Sequence, residues 1–259
     1  MKDLLLQSFG TAQHINHKVL GKTTLELAHY SDKSLPVVKS QQVDTILQER
    51  IANCDVDTED AFFVADLASV AHQYRQWTDL LPRVRPFYAV KCNPDPLVST
   101  TLHKLGAGFD CASKAELQLA LDLGADPASI IFANPCKQVS HIRFAAQKGI
   151  QKMTFDNADE LVKVKLHMPD AKMVLRILTD DSKSVCRFGI KFGAAIGLVA
   201  DLLKLATELE IEVVGISFHV GSGCFDASSF KDAVVLARQA FDIGESLGFN
   251  FSLLDSFLS

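Results

Sequence analysis

Residues 86–93 read Pro86-Phe-Tyr-Ala-Val-Lys91-Cys-Asn93, an apolar run of strand length that ends in a charged residue. Similar short apolar runs recur from residue 61 onward, and between them lie stretches with apolar residues at i, i+3 and i+4. Strands that alternate with helices, and that are apolar on both faces, are typical of a parallel sheet covered by helices. The pattern therefore predicts an α/β fold. The runs begin at Phe62, Phe87, Gly108, Ile130, Met153, Met173, Val213 and Phe251.

Two architectures fit this alternation, a doubly wound sheet and a (β/α)8 TIM-type barrel. Polar residues close many of the runs, and in a barrel the carboxyl ends of all strands meet at one mouth. A doubly wound sheet would instead gather such residues at one switch point, and no glycine-rich nucleotide motif follows any run. We therefore predict the barrel. The polar residues are Lys91, Asp110, Asn134, Asp156, Arg176 and His219.

Local signals predict where several helices begin and end. Ser113 followed by Glu116 is the pattern of a capping box, in which the serine starts a helix and the glutamate reaches back to it. Gly106, Gly124 and Gly149 stand where helices should end. Apolar spacing predicts helices over residues 43–51, 115–123, 159–167 and 198–209.

The composition narrows the class of protein. Of the 259 residues 48% are hydrophobic, and the formal net charge is −5, so the chain has the material for a large core and no basic surface for nucleic acid. No apolar stretch approaches the roughly 18 residues that a membrane span needs, and the first residues are too weakly apolar for a secretory signal. We expect a cytoplasmic protein. The six cysteines show no CxxC or Cys/His spacing, which argues against a disulfide framework and a metal site.

Lys91 is the sharpest candidate for chemistry. A lysine that ends an apolar strand in a confined mouth is desolvated, which lowers its pKa and frees the amine to form a Schiff base with a carbonyl. The alternative is a lysine that extends to solvent, which is the commoner position for this side chain. Spacing alone leaves both interpretations open.

Four segments together resemble the fold-type III amino-acid decarboxylases, which depend on pyridoxal phosphate. They are Pro86-Phe-Tyr-Ala-Val-Lys91-Cys-Asn93, Gly108-Phe-Asp110-Cys-Ala-Ser-Lys-Ala-Glu116, Ile131-Phe-Ala-Asn-Pro-Cys-Lys137 and Phe218-His219-Val-Gly-Ser222-Gly223. Within that family, Leu175-Arg176-Ile177, residues 179–189 and Val220-Gly-Ser-Gly-Cys224 resemble the eukaryotic ornithine decarboxylases. The resemblance runs from about residue 62 to residue 255 and implies an alanine-racemase-like barrel.

The resemblance implies a cofactor site that is built on three of these residues. Lys91 would form the Schiff base with pyridoxal phosphate, His219 would stack on its ring, and Ser222 would donate to its phosphate, helped by the backbone of the glycine turn. Each has a structural alternative. His219 also fits a core histidine with a satisfied hydrogen bond, and glycine–serine turns are common in loops that bind nothing.

Four further residues receive roles from the resemblance. Asp110 and Glu116 would lie near the Schiff base and orient Lys91, although the capping box explains Glu116 equally well. Arg176 ends a buried run, so a carboxylate or the polar edge of the cofactor should face it. Lys191 would form a pair across a homodimer interface, or is simply a solvated lysine.

The implied activity is conversion of L-ornithine to putrescine and CO2, a step of polyamine biosynthesis. After Leu253-Leu-Asp255 the family pattern gives way to Ser256-Phe-Leu-Ser259. The family's phosphate loop, last barrel strand and C-terminal β domain would follow there, so we expect this chain alone to have no meaningful activity. We predict an N-terminal segment over 1–60, which would pack on that β domain, and a partial barrel over 61–259.

Two other functions stay open. Residues 139–162 resemble the element by which the family binds antizyme, so the chain could be a non-catalytic decoy like the antizyme inhibitors; an ordinary helix–strand unit explains the same pattern. The third hypothesis is a related decarboxylase that acts on arginine, lysine or diaminopimelate.

Overall fold

A computed structural model of the chain describes the backbone of four short segments near the N-terminus, 3–7, 18–20, 23–25 and 37–39, and residues 43–54 and 61–257. The chain divides into two compact units, Met1–Phe109 with Asp122–Ala125, and Asp110–Leu121 with Asp126–Ser259. Much of the predicted 1–60 segment lies outside the described residues, and its boundary at residue 61 stays a prediction.

The first unit begins with short antiparallel strands. β1 (Asp3–Gln7) pairs with β4 (Val37–Lys39), and β2 (Lys18–Leu20) pairs with β3 (Thr23–Leu25). The predicted helix from Val43 is confirmed as α1 (Val43–Ala52). The run at residue 62 forms β5 (Phe63–Ala65), but this strand pairs antiparallel with β1 and does not continue the parallel pattern. Its assignment to the run of barrel strands was wrong, because a three-residue apolar run does not reveal its partner.

The rest of the first unit follows the predicted alternation. Asp66 caps α2 (Leu67–Leu80) by accepting from two backbone N–H groups, and Asp95 caps α3 (Pro96–Leu105) in the same way. Between these helices lie β6 (Phe87–Ala89) and a 3₁₀ turn, Val90–Cys92. Gly106 ends α3 in the left-handed conformation, as predicted, with φ of +104°.

The second unit begins within β7 (Gly108–Cys111), and in it helices alternate with strands. The helices that apolar spacing predicted over residues 115–123, 159–167 and 198–209 are confirmed. Its elements are α4 (Lys114–Asp122), β8 (Ile130–Phe132), α5 (Val139–Gln147), β9 (Lys152–Phe155), α6 (Ala158–His167), β10 (Lys172–Ile177), β11 (Ser184–Cys186), α7 (Val199–Glu208), β12 (Glu212–His219), β13 (Ser222–Cys224), α8 (Ala227–Ser246) and β14 (Leu253–Phe257).

The strand order decides the architecture. The seven-stranded sheet runs β6-β7-β8-β9-β10-β12-β14, and the pairs from β8 to β14 are parallel. Strands follow chain order without reversal, so no switch point exists among them and the sheet is that of a (β/α)8 barrel. The barrel prediction is confirmed, with seven of its strands among the described residues. β11 and β13 form a separate antiparallel pair.

The inner strands are apolar on both faces, as a helix-covered parallel sheet requires. Successive residues of β10, Met173, Val174 and Leu175, are all fully buried. One irregularity interrupts this sheet: between Met173 and Val174 the register against β12 shifts, so that Val214 has no partner in β10. Such a bulge changes which face the following residues occupy.

The described residues add three facts on composition. All six cysteines are free thiols, with Cys111 buried and Cys54, Cys92, Cys136 and Cys186 exposed. No helix in the described ranges is both long and apolar enough to cross a bilayer. The same ranges contain no cluster of His, Cys, Asp or Glu side chains suited to a metal ion.

Gly215 is required where β12 meets β14. A Cβ atom on this residue would overlap the carbonyl oxygen of its partner, Leu253. We therefore expect Gly215→Ala to lower the free energy of unfolding by about 1–3 kcal/mol, the usual cost of overpacking. Urea denaturation measures the change. Gly197→Ala is the control, because a Cβ there meets nothing within 4 Å; equal midpoints for the two variants would contradict the proposed clash.

Candidate active site

A row of polar residues crosses three neighbouring strands of the second unit. Arg176 of β10 is in register with Ser217 of β12, which is in register with Asp255 of β14. The Ser217 hydroxyl donates to the Asp255 carboxylate at 2.9 Å. Residues in register on neighbouring strands share a face, and His219, two residues beyond Ser217, shares it as well. This face therefore carries the candidate site near the carboxyl ends of the strands.

Arg176 is the electrostatic centre of this row. Burial lowers the pKa of its guanidinium, and the attraction of nearby carboxylates opposes that shift. The guanidinium carbon also lies 5.2 Å from the centre of the Phe192 ring, in cation–π contact. Four carboxylates thus lie near enough to attract the guanidinium, as expected for an arginine that ends a buried strand. In order of decreasing influence they belong to Asp156, Asp255, Asp110 and Asp181.

Backbone N–H groups fix two of these carboxylates. Asp156 follows β9 directly and accepts from the Gly193 N–H at 2.8 Å. Asp181 accepts from two successive N–H groups, those of Phe188 and Gly189, at 2.5 and 2.7 Å. Charge-assisted bonds of this kind orient a carboxylate strongly. Asp110, in β7, is buried, as expected for a strand end that faces the interior.

His219, the last residue of β12, is held from two sides. Its Nδ1 accepts from the Gly221 N–H at 2.8 Å, so the neutral ring carries its proton on Nε2. The ring of Phe188 meets it edge-on, with 5.0 Å between the ring centres. The half-buried imidazole therefore has a defined orientation, in contrast to a loosely packed surface histidine.

Ser222 lies in a turn that a neighbouring strand supports. The flanking Gly221 and Gly223 have φ of +87° and +68°, which favour glycine. Ser222 is paired with Cys186 through the β11–β13 ladder, and a Cβ on Gly221 would come within 2.5 Å of the Ser184 Cβ. The half-buried Ser222, the first residue of β13, thus lies between two residues that have no side chains.

Glu116 performs the capping role. The Ser113 hydroxyl accepts from the Glu116 N–H at 3.3 Å, and the glutamate carboxylate accepts from the Ala112 N–H at 2.7 Å. The capping box is confirmed, with the carboxylate one residue further back than the usual pattern. The Ala112 carbonyl in turn accepts from the Asn134 side chain at 3.1 Å, which joins the loops after β7 and β8.

A buried ion pair lies behind these loops. Lys137, 2% exposed, donates to the carbonyls of Asn134 and Thr154 at 3.1 and 2.6 Å and pairs with Glu160 at 2.8 Å. Burial lowers the pKa of its amine, and the Glu160 carboxylate opposes that shift. Lys163 also pairs with Glu160. The pair ties the loop after β8 to α6.

Lys91 belongs to the first unit and is exposed. It occupies the 3₁₀ turn directly after β6. The Tyr88 hydroxyl donates across this turn to the Asn93 carbonyl at 2.9 Å. Burial, and then the neighbouring Cys92, raise the pKa of Tyr88 to about 12. The tyrosine thereby holds the segment that carries the lysine.

Asp110, Arg176, His219 and Ser222 thus all belong to the second unit. Glu116 lies in the first turn of α4 and caps the start of that helix. Sequence reasoning placed Asp156 at the barrel mouth, and it assigned no role to the other residues that support the site: Asp181, Phe188, Ser217 and Asp255. Their signal is the register between strands and the hydrogen bonds of loops, and neither follows from one-dimensional spacing. Lys137 stood in a quoted motif, but its partner Glu160 is 23 residues away.

Comparison with known proteins now decides the family. Residues 67–256 match the family described as "Pyridoxal-dependent decarboxylase, pyridoxal binding domain". The chain belongs to the pyridoxal-dependent decarboxylases. The match begins at α2 and ends within β14, so it takes in the described parallel sheet except for the last residue of β14.

Two curated relatives illustrate the similarity to these decarboxylases. The ornithine decarboxylase of Schizosaccharomyces pombe is 59% identical over 196 residues, which cover 76% of this chain and 45% of the relative. Antizyme inhibitor 2 of Xenopus laevis is 51% identical over 211 residues, 81% of this chain and 46% of the relative. The chain thus spans about half the length of the curated relatives that it matches.

Solved structures agree with this family. The arginine decarboxylase of Paramecium bursaria Chlorella virus superposes with a TM-score of 0.72 at 39% identity. The superposition covers 73% of this chain and 51% of that structure. Because identity is well above the level of fold likeness alone, the barrel prediction and the family assignment support each other.

The burial of Tyr88 predicts a pH dependence of the free energy of unfolding. Because the folded-state pKa is raised to about 12, the unfolded chain loses this proton first, near pH 10, as the pH rises. Stability from this group is therefore complete below about pH 10 and is lost as the pH rises through the folded-state pKa. We expect Tyr88→Phe to be less stable than the parent near neutrality and to lose less stability over that alkaline window. Urea midpoints across the window test this; parallel pH profiles would contradict it.

The buried pair predicts a large difference between two lysines. Lys137→Met leaves the Glu160 carboxylate buried with one fewer partner, which should cost about 3–5 kcal/mol of unfolding free energy. Lys204→Met is the control: its Nζ lies 3.4 Å from Asp201, and both side chains are more than half exposed. An exposed pair contributes about 0–1 kcal/mol. Denaturant unfolding measures the free energy of unfolding of both variants. Similar losses of unfolding free energy in Lys137→Met and Lys204→Met would refute a structural role for the buried pair.

Proposed function

We propose that this chain supplies the pyridoxal-phosphate-binding part of an ornithine decarboxylase, which converts L-ornithine to putrescine and CO2. The observation that carries the proposal is the row near the carboxyl ends of the strands, where Arg176, Ser217 and Asp255 share the face on which His219 lies. The 59% identity to the Schizosaccharomyces pombe protein of that name supports ornithine as the substrate.

The residues of the second unit fit pyridoxal phosphate in their chemistry. An oriented, half-buried imidazole suits the face of an aromatic ring. The Ser222 hydroxyl and the glycine turn around it suit a phosphate. Asp110 and Arg176 provide a carboxylate and a guanidinium for polar edges. When bound, the cofactor supplies an electron sink for the electrons left at Cα as CO2 departs.

Each of the site residues then has one role. Lys91 would offer its amine to the carbonyl group of the cofactor, and the Tyr88 hydrogen bond keeps the turn that carries this lysine in place. His219 would support the cofactor ring; its own proton is on Nε2, because Nδ1 accepts from the Gly221 N–H. The Ser222 hydroxyl would hold the phosphate by a hydrogen bond. Asp110 stays beside Arg176, which limits the cost of burying either charge.

The charge of this region supports a cationic substrate. The carboxylates that act on Arg176 outnumber its single positive charge. An excess of negative charge at a site raises the local concentration of cations. L-Ornithine, lysine and arginine all carry a cationic side chain, so this feature favours the class, and the identity to an ornithine decarboxylase favours ornithine within it.

Titration with pyridoxal phosphate tests the proposal. The purified chain should change the absorbance of the cofactor saturably, and borohydride followed by peptide mass spectrometry should place the cofactor on Lys91. Lys91→Ala should abolish both signals, and the exposed control Lys104→Ala should keep them. Ornithine should perturb the bound absorbance at a lower concentration than lysine or arginine. Equal labelling of several lysines, with no loss in Lys91→Ala, would refute the role of Lys91.

A homodimer is part of the proposal. Lys191, which the resemblance assigns to a dimer interface, is exposed. Three apolar side chains are exposed as well: one precedes Lys191 in the chain, one lies in β11, and one follows β13 directly. Exposed apolar groups in one region favour association. They are Val185, Ile190 and Phe225.

A second candidate is an antizyme-binding protein, which the 51% identity to antizyme inhibitor 2 favours. Residues 139–162 form α5, β9 and the first part of α6, so they are also an ordinary unit of the barrel. Arg143 and Lys148 are exposed on this unit. Capture by immobilised antizyme, lost in Arg143→Glu, together with failure to bind pyridoxal phosphate, would favour this candidate over the decarboxylase.

A further inference from the structure

The loop after β10 is hydrogen-bonded to the segment that carries His219 and Ser222. We call residues 179–189 the clamp segment and residues 219–224 the cofactor turn; both belong to the second unit. The Thr179 hydroxyl donates to the His219 carbonyl at 2.9 Å, and the Ser184 hydroxyl donates to the Val220 carbonyl at 2.5 Å. The β11–β13 ladder joins the same two segments. The position of the cofactor turn therefore depends on the clamp segment.

One side chain closes the clamp segment on itself. The Asp181 carboxylate accepts from the N–H groups of Phe188 and Gly189 at the other end of the segment, and the Asp181 carbonyl accepts from the Ser184 N–H at 3.1 Å. Asp181 is 9% exposed, so water competes little for these bonds. A Cβ on Gly189 would come within 3.4 Å of both carboxylate oxygens, which shows how closely the chain folds over them.

The C-terminal end of the clamp segment contacts His219. The Phe188 N–H donates to the Asp181 carboxylate. The ring of the same residue meets the His219 imidazole edge-on, with 5.0 Å between the ring centres. A hydrogen bond to the backbone of Phe188 therefore also fixes the aromatic group beside His219. Asp181 further attracts the Arg176 guanidinium, which links the clamp segment to the polar row.

We propose that Asp181 is a positioning residue for the cofactor: its carboxylate holds the clamp segment closed, so that Phe188 keeps the His219 ring in the orientation that pyridoxal phosphate requires. The inference rests on the proposed function, because it assumes that His219 faces the cofactor. An ionised carboxylate suits this task because it accepts two N–H bonds at once and at short range.

The test compares Asp181→Asn and Asp181→Ala with a neighbour. Asp180 is the matched control: it is exposed, its carboxylate accepts from the Ser182 N–H, and Asp180→Asn removes the same charge. Hydrogen exchange should speed up at the amides of Phe188 and Gly189 by about tenfold or more in Asp181→Ala, because bonds to charged groups are among the stronger ones. Asp181→Asn, which keeps the side-chain volume, should show a smaller increase, and Asp180→Asn none.

Two further readouts separate positioning from general loss of structure. In Asp181→Asn the ring-proton NMR shifts of His219 should move toward those of Phe188→Leu, which lacks the edge-on ring. The dissociation constant for pyridoxal phosphate should rise about tenfold in Asp181→Ala, less in Asp181→Asn, and not in Asp180→Asn. If Asp181→Ala does not fold, Asp181→Asn carries the test alone.

The outcomes distinguish the inference from the proposed function. Unchanged exchange at Phe188 and Gly189 would overturn the clamp, and faster exchange with unchanged cofactor affinity would overturn its role in positioning. If the parent chain binds no pyridoxal phosphate, the proposed function fails and the positioning role fails with it. The exchange and NMR results then still show whether Asp181 orders the segment.

Discussion

The partly buried guanidinium of Arg176 is the constraint on which the site depends. Burial disfavours a positive charge, and the attraction of nearby carboxylates offsets that cost. Here the carboxylates come from separate elements: β7, the loop after β9, the clamp segment and β14. One cation therefore makes these elements interdependent. Displacing any of them exposes the rest to an electrostatic penalty that packing alone does not impose.

Around this centre, positions are set by the backbone more than by side chains alone. Asp156 accepts from an N–H group of a distant loop, and Asp181 accepts from two at the far end of its own segment. His219 accepts from Gly221, and Glu116 accepts from Ala112. Such contacts order loops without a large apolar core of their own. They explain how a site assembled at strand ends keeps a defined geometry, which the chemistry of a pyridoxal-dependent decarboxylase requires.

Sequence reasoning predicted those features whose signal is local. The alternation of strands and helices, the helix ends at Gly106 and the Ser113 capping box depend on neighbouring residues, and all are confirmed. The strand at Phe63 was assigned to the wrong sheet, because pairing is a long-range choice. Asp181 and Asp255 received no role for the same reason: their partners lie in other elements, and the distances between elements are not encoded in spacing. Lys91, Asp110, Arg176 and His219 were named from their position at strand ends, and Ser222 was named through the resemblance. The catalytic or binding roles of all five come from the resemblance and stay proposals.

The unpaired Val214 in β12 has a consequence for the evolution of the site. Side chains of a strand alternate between faces, so a single extra residue reverses the phase of all that follow it. Because Val214 is skipped in the pairing with β10, Arg176 stands level with Ser217 and not with Ile216. If Val214 were paired regularly with Val174, Arg176 would stand level with Ile216, and the Ser217 hydroxyl and the His219 imidazole would turn to the opposite face of the sheet. Any evolutionary change in β12 that removed the bulge while keeping Val214 would therefore dismantle the polar face without altering a single site residue.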